Sequence, residues 1–163
     1  MTPDAKLGAR LAFLARVATK EAALLRLTDE RLFAVPFEPR DVIRLDEDPT
    51  LAERVEAFVG RFGRLQDTLG DKFLPALLLV VGERPAAFVD NMDRAERLGW
   101  VASVDEWLAM RQLRNQMVHE YIEDPIVLAA ALNGGHRFVP RLIEAAQRFA
   151  EEALRRGAGD VRT

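Results

Sequence analysis

Ser103-Val104-Asp105-Glu106-Trp107-Leu108-Ala109-Met110-Arg111-Gln112-Leu113-Arg114-Asn115-Gln116-Met117-Val118-His119-Glu120-Tyr121 is the stretch on which the fold turns. It opens as a capping box, with serine at the N-cap and glutamate three residues on. Side chains there take up backbone N–H groups that the first helical turn leaves unpaired. Nothing breaks the run before Asp124-Pro125, where proline disfavours the helical conformation of the residue ahead of it. One helix ending at about Tyr121 or Ile122 is predicted. Its last turns hold the only tyrosine of the chain and one of its two histidines. On a helix, Arg114, Val118 and Tyr121 fall on nearly one line, Asn115 and His119 on a second beside it, and Arg111 between them. A core face would need a partner for every one of these polar groups. A solvent face has no use for the sole tyrosine. The cluster is the candidate site.

Working back from it, Arg84-Pro85 is predicted to begin a helix with Phe88, Met92, Ala95 and Leu98 on one side and Gly99 as its stop. Pro49-Thr50 opens an earlier helix whose buried face is Leu51, Val55, Phe58, Val59, Phe62, Leu65, Gln66 and Leu69. Gly60 and Gly63 inside it each cost up to about 1 kcal/mol relative to alanine, so a close approach is expected there. Either the backbone of a second copy or a tight crossing within the chain would supply it. Pro75 kinks or restarts this helix before Gly82. At the start, Thr2-Pro3-Asp4 combines a hydroxyl cap, proline at N1 and an acid on the positive helix end. Leu7, Leu11, Leu14, Ala18, Ala22 and Leu25 then mark a long amphipathic helix to about Thr28, its stripe widened by Phe13, Val17 and Leu24. Between them, Arg31 to Pro49 carries Pro36, Pro39 and Pro49 and reads as a long connection with little helix. Val42-Ile43-Arg44-Leu45 is a candidate extended segment, and Leu32, Phe33, Val35 and Phe37 are expected to anchor the connection on the bundle.

Downstream, Pro125 restarts a segment, Ile126 to Leu132, that Asn133-Gly134-Gly135 is expected to break. A final helix from about Phe138 to Arg156 then faces Leu142, Ala145, Ala146, Phe149, Ala153 and Leu154 inward. His136 is placed in the exposed loop between them, and Gly157 to Thr163 reads as a frayed tail. The fold class predicted is all-α, an antiparallel up-and-down bundle of four to five helices with a long loop between the first two. Residues 1–163 form a single domain with a core of about 3–156.

Composition narrows the function. The 163 residues suffice for one core without cross-links. The chain has no run of eighteen or more apolar residues of the kind that spans a bilayer, and Met1 to Lys6 lacks the basic-then-apolar order of a signal peptide. The absence of cysteine excludes disulfides, thiolate catalysis and cysteine-bound metal, and fits the cytoplasm. His119 and His136 form no metal-ligand spacing, so no metal is expected. A net charge of −3 argues against a broad duplex-DNA surface while leaving room for a small basic cleft. All of the 23 basic residues except Lys6, Lys20 and Lys72 are arginine, a skew that GC-rich coding explains as readily as phosphate binding does. Glu120 reads as solvated or paired, Trp100 and Trp107 as core or interface aromatics.

The order Arg114, four residues, His119, one residue, Tyr121 resembles the motif of the HEPN superfamily. The run Leu113 to Tyr121 is similar to its HepT-like branch, as is the lead-in Gly99-Trp100-Val101 to Trp107. The resemblance extends over about Pro3 to Arg156. It implies a cofactor-free, metal-independent endoribonuclease working as a homodimer, with one motif from each chain lining a shared cleft. RNA brings its own nucleophile, the 2′-hydroxyl. Histidine can take or give a proton near neutral pH, which suits His119. Arginine can bind the scissile phosphate and stabilise transition-state charge, which suits Arg114. Asn115 and Arg111 are supporting residues. One motif offers one histidine, so acid and base both require the dimer or water. The branch further implies the toxin of a toxin–antitoxin pair, silenced when an MntA-type nucleotidyltransferase antitoxin transfers AMP to Tyr121. Other members are described as substrate-binding partners of small nucleotidyltransferases. A non-catalytic nucleotide-binding subunit is therefore the alternative expectation, and a purely structural helical dimer the third.

Overall fold

The computed structural model describes residues 2–119 and 123–156. Every regular element among them is helical: α1 (Pro3–Leu32), α2 (Pro39–Ile43), a 3₁₀ turn (Arg44–Asp46), α3 (Pro49–Asp67), a π-helical turn (Thr68–Phe73), α4 (Leu74–Val80), α5 (Phe88–Arg97), α6 (Val104–His119) and α7 (Pro125–Arg156). The chain is an all-α helical bundle. Its neighbours run antiparallel, as the residue pairs show. Arg61 meets Thr28 while Thr68 meets Glu21, so α3 descends along α1. Likewise Leu113 lies against Gly134 while Glu106 reaches Arg141, so α6 descends along α7. No helix among the described residues is long and apolar enough to cross a membrane.

The helix ends follow from the sequence. Thr2 Oγ1 accepts the Ala5 N–H at 3.1 Å and Pro3 sits in the first turn of α1. Ser103 Oγ accepts the Glu106 N–H, and Glu96 Oε2 accepts the Val104 N–H at 2.8 Å, so two orphan donors of α6 are satisfied. Glu106 itself turns to Arg141 rather than back to the cap. Gly99 has φ +78°, and the Trp100 and Gly99 N–H groups close on the Ala95 and Glu96 carbonyls, ending α5 as a left-handed stop. The core combines Leu11 and Leu25 of α1, Phe58 and Phe62 of α3, Leu77 of α4, Trp107 of α6, and Leu132 and Phe149 of α7, all fully buried.

Four boundaries differ from the sequence reading. First, α1 runs on to Leu32, past Thr28, whose hydroxyl bonds back to the Leu24 carbonyl inside the helix. Second, Val42 to Leu45 is helical rather than extended. Pro39 starts α2, and the Glu38 N–H donates to Asp41 Oδ2 at 2.8 Å, a local cap that outweighs the prolines' reputation as breakers. The anchor role expected of this connection holds for Leu32 and Phe37, which are buried, but Val35 is exposed. Third, Arg84-Pro85 does not open α5. The buried Asn91 amide pairs with both backbone groups of Ala86 (2.8 and 3.0 Å) and holds the chain non-helical until Phe88.

Fourth, Asn133-Gly134-Gly135 does not break the last helix; α7 is continuous from Pro125 to Arg156. The two glycines are there for packing. A Cβ on Gly134 would stand 3.0 Å from a Leu113 methyl, and one on Gly135 would collide with the end of Met117. Asn133 reaches sideways to both backbone groups of Phe37. His136 is therefore a helical residue, not a loop one. Its Nδ1 lies 2.6 Å from Asp29 Oδ1, and its ring stacks on Phe33 with centroids 4.4 Å apart. Burial of Asp29 raises its carboxyl above the usual carboxylate range, against the opposing pull of the His136 contact.

A wide turn joins α3 to α4. Pro75 has no N–H to give the carbonyl four residues back. Just ahead of it the Leu74 N–H bonds to Leu69, five residues back, and the π turn carries the chain into α4 without a break. Beside this turn, Glu21 Oε1 accepts the Thr68 hydroxyl at 3.1 Å while Glu21 Oε2 is buried with no partner among the described residues. Burial is the main cause of its raised pKa, partly offset by Thr68 and by the charges of Arg64 and Lys72. A carboxyl whose pKa is raised on folding opposes stability when charged, and that penalty fades as pH falls through the raised value. Glu21→Gln keeps the Thr68 hydrogen bond and removes the buried charge, so it should raise Tm at pH 7. The gain should shrink as the pH is lowered toward 4. Thermal melts at both pH values check the sign, and a gain that grows on acidification would refute it.

Candidate functional site

α6 presents Arg114, Arg111, Asn115 and His119 along its C-terminal half, across an arc of roughly 140° at 100° per residue. Its buried side is set by Trp107, Met110 and Met117. Arg114 lies on the edge of that side. Its guanidinium rests in the gap left by Gly63 of α3, where a Cβ would be 2.7 Å from Nε. There Nη1 donates to Asp67 Oδ1. Of the two contacts expected for Gly63, the one within the chain is present, and a side chain fills it rather than backbone. Gly60 meets nothing within 4 Å.

Arg111 repeats this arrangement one turn back. Its Nη2 sits 3.3 Å from Asp71 Oδ1, and its guanidinium carbon lies 3.7 Å above the Phe88 ring. Asp67 and Asp71 are one helical turn apart, as are the arginines they face. Both pairs are part-exposed, so each adds at most about 1 kcal/mol to stability. Their effect is orientation. A fork of donors held by one carboxylate points its remaining N–H groups in fixed directions.

Asn115 and His119 stand on the outer side of α6, both exposed and without a hydrogen-bond partner among the described residues. The structure thus divides the predicted cluster into an anchored half, Arg111 and Arg114, and a solvent half, Asn115 and His119. Tyr121 lies outside the described residues. Among the described residues, no three His, Asp or Glu side chains gather as a metal ion would need. Sequence reasoning missed Asp67 and Asp71. Their i,i+4 spacing beside Gly63 was the available signal, matching the three-residue step from Arg111 to Arg114. Chemically, α6 offers a fixed guanidinium on its α3 side and an exposed amide and imidazole on its outer side. The first can hold an oxyanion and the imidazole can move a proton. Comparison of the chain with protein-family models, curated proteins and solved structures gives no match.

Proposed function

We propose that the chain is a metal-independent endoribonuclease of the HEPN type, HepT-like branch, acting as a homodimer in the cytoplasm. The observation that carries this reading is Arg114 seated in the Gly63 gap and braced by Asp67, on the same helix as the exposed Asn115 and His119. In the reaction, the RNA 2′-oxygen attacks the adjacent phosphorus and loses its proton to one histidine. The bond to the 5′-oxygen breaks as the second histidine, His119 of the partner subunit, protonates the leaving oxygen. Arg114 neutralises charge on the phosphorane, with Arg111 and Asn115 in support. The products are a 2′,3′-cyclic phosphate and a 5′-hydroxyl. AMP on Tyr121, delivered by a nucleotidyltransferase antitoxin, would set a phosphodiester two residues from His119 and silence the toxin.

The test is to incubate purified protein with single-stranded RNA in excess EDTA and to identify the ends formed. Cyclic phosphate and 5′-hydroxyl ends support the reading; 5′-phosphate ends, or cleavage only with divalent metal, overturn it. The alternative is a nucleotide-holding subunit: both arginines already face carboxylates, so the site carries no net positive charge to draw a polyanionic strand, whereas a single phosphate needs only the N–H groups the carboxylates leave free. Intact RNA together with measurable AMP binding would select that reading.

The Gly63 gap gives a sharper handle. Alanine is a better helix former than glycine by up to about 1 kcal/mol, so Gly63→Ala should leave Tm nearly unchanged. Its Cβ, however, displaces the Arg114 guanidinium from Asp67. A misplacement of about 1 Å can cost on the order of 10²-fold in rate, and cleavage should fall by roughly that factor. Wild-type activity in this variant would show that the anchored position of Arg114 is irrelevant to catalysis.

A further inference from the structure

The site just described has no net charge to attract RNA. Arg111 and Arg114 face Asp71 and Asp67, and the chain as a whole is at −3. Binding of a phosphate chain is driven largely by unpaired cations that displace counterions, so these must lie elsewhere if RNA is bound. Among the described residues most of the basic side chains outside any salt bridge belong to α1 and α3, the others being Lys72, Arg84, Arg97 and Arg137. None of the six basic residues of α1 (Lys6, Arg10, Arg16, Lys20, Arg26 and Arg31) forms a salt bridge, and neither do Arg54, Arg61 and Arg64 of α3, with the described residues. Nine arginines of the remaining elements do.

Three of the unpaired arginines converge. Where the C-terminal part of α1 meets the N-terminal part of α3 there is a groove of about 300 Å³, lined by Arg31, Arg54 and Arg61, the hydroxyl residues Thr28 and Thr50, and a single acid, Glu53. Arg61 is fixed in place: its Nη1 donates to the Leu24 carbonyl at 3.2 Å and to Thr28 Oγ1, leaving Nε and Nη2 without partners among the described residues. Arg31 and Arg54 are exposed on the two rims. Three guanidiniums against one carboxylate, with the Thr50 hydroxyl beside them, make a site for successive phosphates rather than for a neutral ligand. The groove lies on the α1-facing flank of α3, whereas Gly63 and Asp67 face α6, so a bound strand would cross α3 between the two.

We infer that the Arg31–Arg54–Arg61 groove binds the phosphate backbone of single-stranded RNA outside the cleavage site. This rests on the ribonuclease reading for the identity of the strand, but the groove is tested apart from cleavage. In a His119→Ala background, binding of a fluorescein-labelled single-stranded RNA 12-mer is followed by anisotropy, with and without Arg31→Gln and Arg54→Gln together. Arg61 is left intact because it braces α1 to α3, and matched melting curves confirm that the double change preserves the fold. The expected result is at least a ten-fold weaker Kd at low salt. The slope of log K against log salt should fall by about 1.4, two single-strand phosphate contacts at about 0.7 each. Unchanged affinity and slope overturn the inference, as does failure of the parent protein to bind the RNA. Competition by an acidic helical peptide as effective as that by unlabelled RNA also overturns it, in favour of an acidic protein partner. Failure of the two readings is distinguishable. If wild type does not cleave yet binding depends on Arg31 and Arg54, the nuclease reading fails and the groove stands. If wild type cleaves and the double change leaves KM untouched, the groove fails and the nuclease stands.

Discussion

His119→Ala should lower RNA cleavage by at least 10²-fold and up to about 10⁴-fold, the range that general acid–base catalysis contributes, with RNA binding and Tm nearly unchanged. His119 is exposed and has no hydrogen-bond partner among the described residues, so no packing is lost with it. In the proposed dimer one substitution removes both the acid and the base, which puts the expected loss near the upper end. Arg114→Lys should act differently. Lysine keeps the charge and can still reach Asp67, but it lacks the planar fork that Arg114 lays across Gly63. A kcat loss of about 10²- to 10³-fold, comparable to removal of one transition-state donor, is expected without a matching rise in KM. Single-turnover cleavage and anisotropy binding, run on both variants, check the pair. Equal activity of His119→Ala and wild type would remove the ribonuclease reading altogether.

The largest effect on stability is expected from Phe58→Ala, a loss of about 3–5 kcal/mol. The ring is fully buried where α1, α3 and α7 meet. It meets Phe33 edge-on at 5.0 Å between centroids, stacks on Phe62 at 5.6 Å, and closes on the gap at Gly135, which also receives the end of Met117. Since Met117 belongs to the helix of Arg114 and His119, a cavity here should loosen the site from below. Urea or thermal unfolding should show the midpoint falling by roughly 10 °C or more. A loss under about 1 kcal/mol would mean that neighbours collapse into the space, and Met117 is the side chain best suited to do so.

How far the sequence disclosed this structure depended on the range of the forces involved. Periodicity along one helix is local, so the apolar stripes of α1 and α3 and the stop at Gly99 were legible. So was the clustering of Arg114, Asn115 and His119 on one helix; the end of α6 expected at Tyr121 or Ile122 lies outside the described residues. What a residue does across space was not legible. Gly134 and Gly135 look like a break because glycine is a poor helix former, yet here each admits a side chain of α6 and the helix runs through. His136 looked like loop decoration for the same reason, and its partner Asp29 is 107 positions away. Asp67 and Asp71 carry only a weak mark in the sequence, their i,i+4 spacing beside Gly63. They acquire meaning only once Arg114 and Arg111 lie opposite.

The π turn at Thr68–Phe73 bears on how this chain should be aligned with others. Such a turn holds one residue more than an α-helical turn while leaving the flanking helices in phase. A related chain with a one-residue gap opposite Thr68–Phe73 would therefore not be missing a piece of structure. It would run through the same path at ordinary pitch, with Leu74, Leu77 and Leu78 still turned to the core. In that shorter form proline at position 75 would be more costly, though not excluded, as Pro140 inside α7 shows, because at ordinary pitch the ring presses on the carbonyl four residues earlier. Length at the turn and residue type at position 75 are thus expected to vary together.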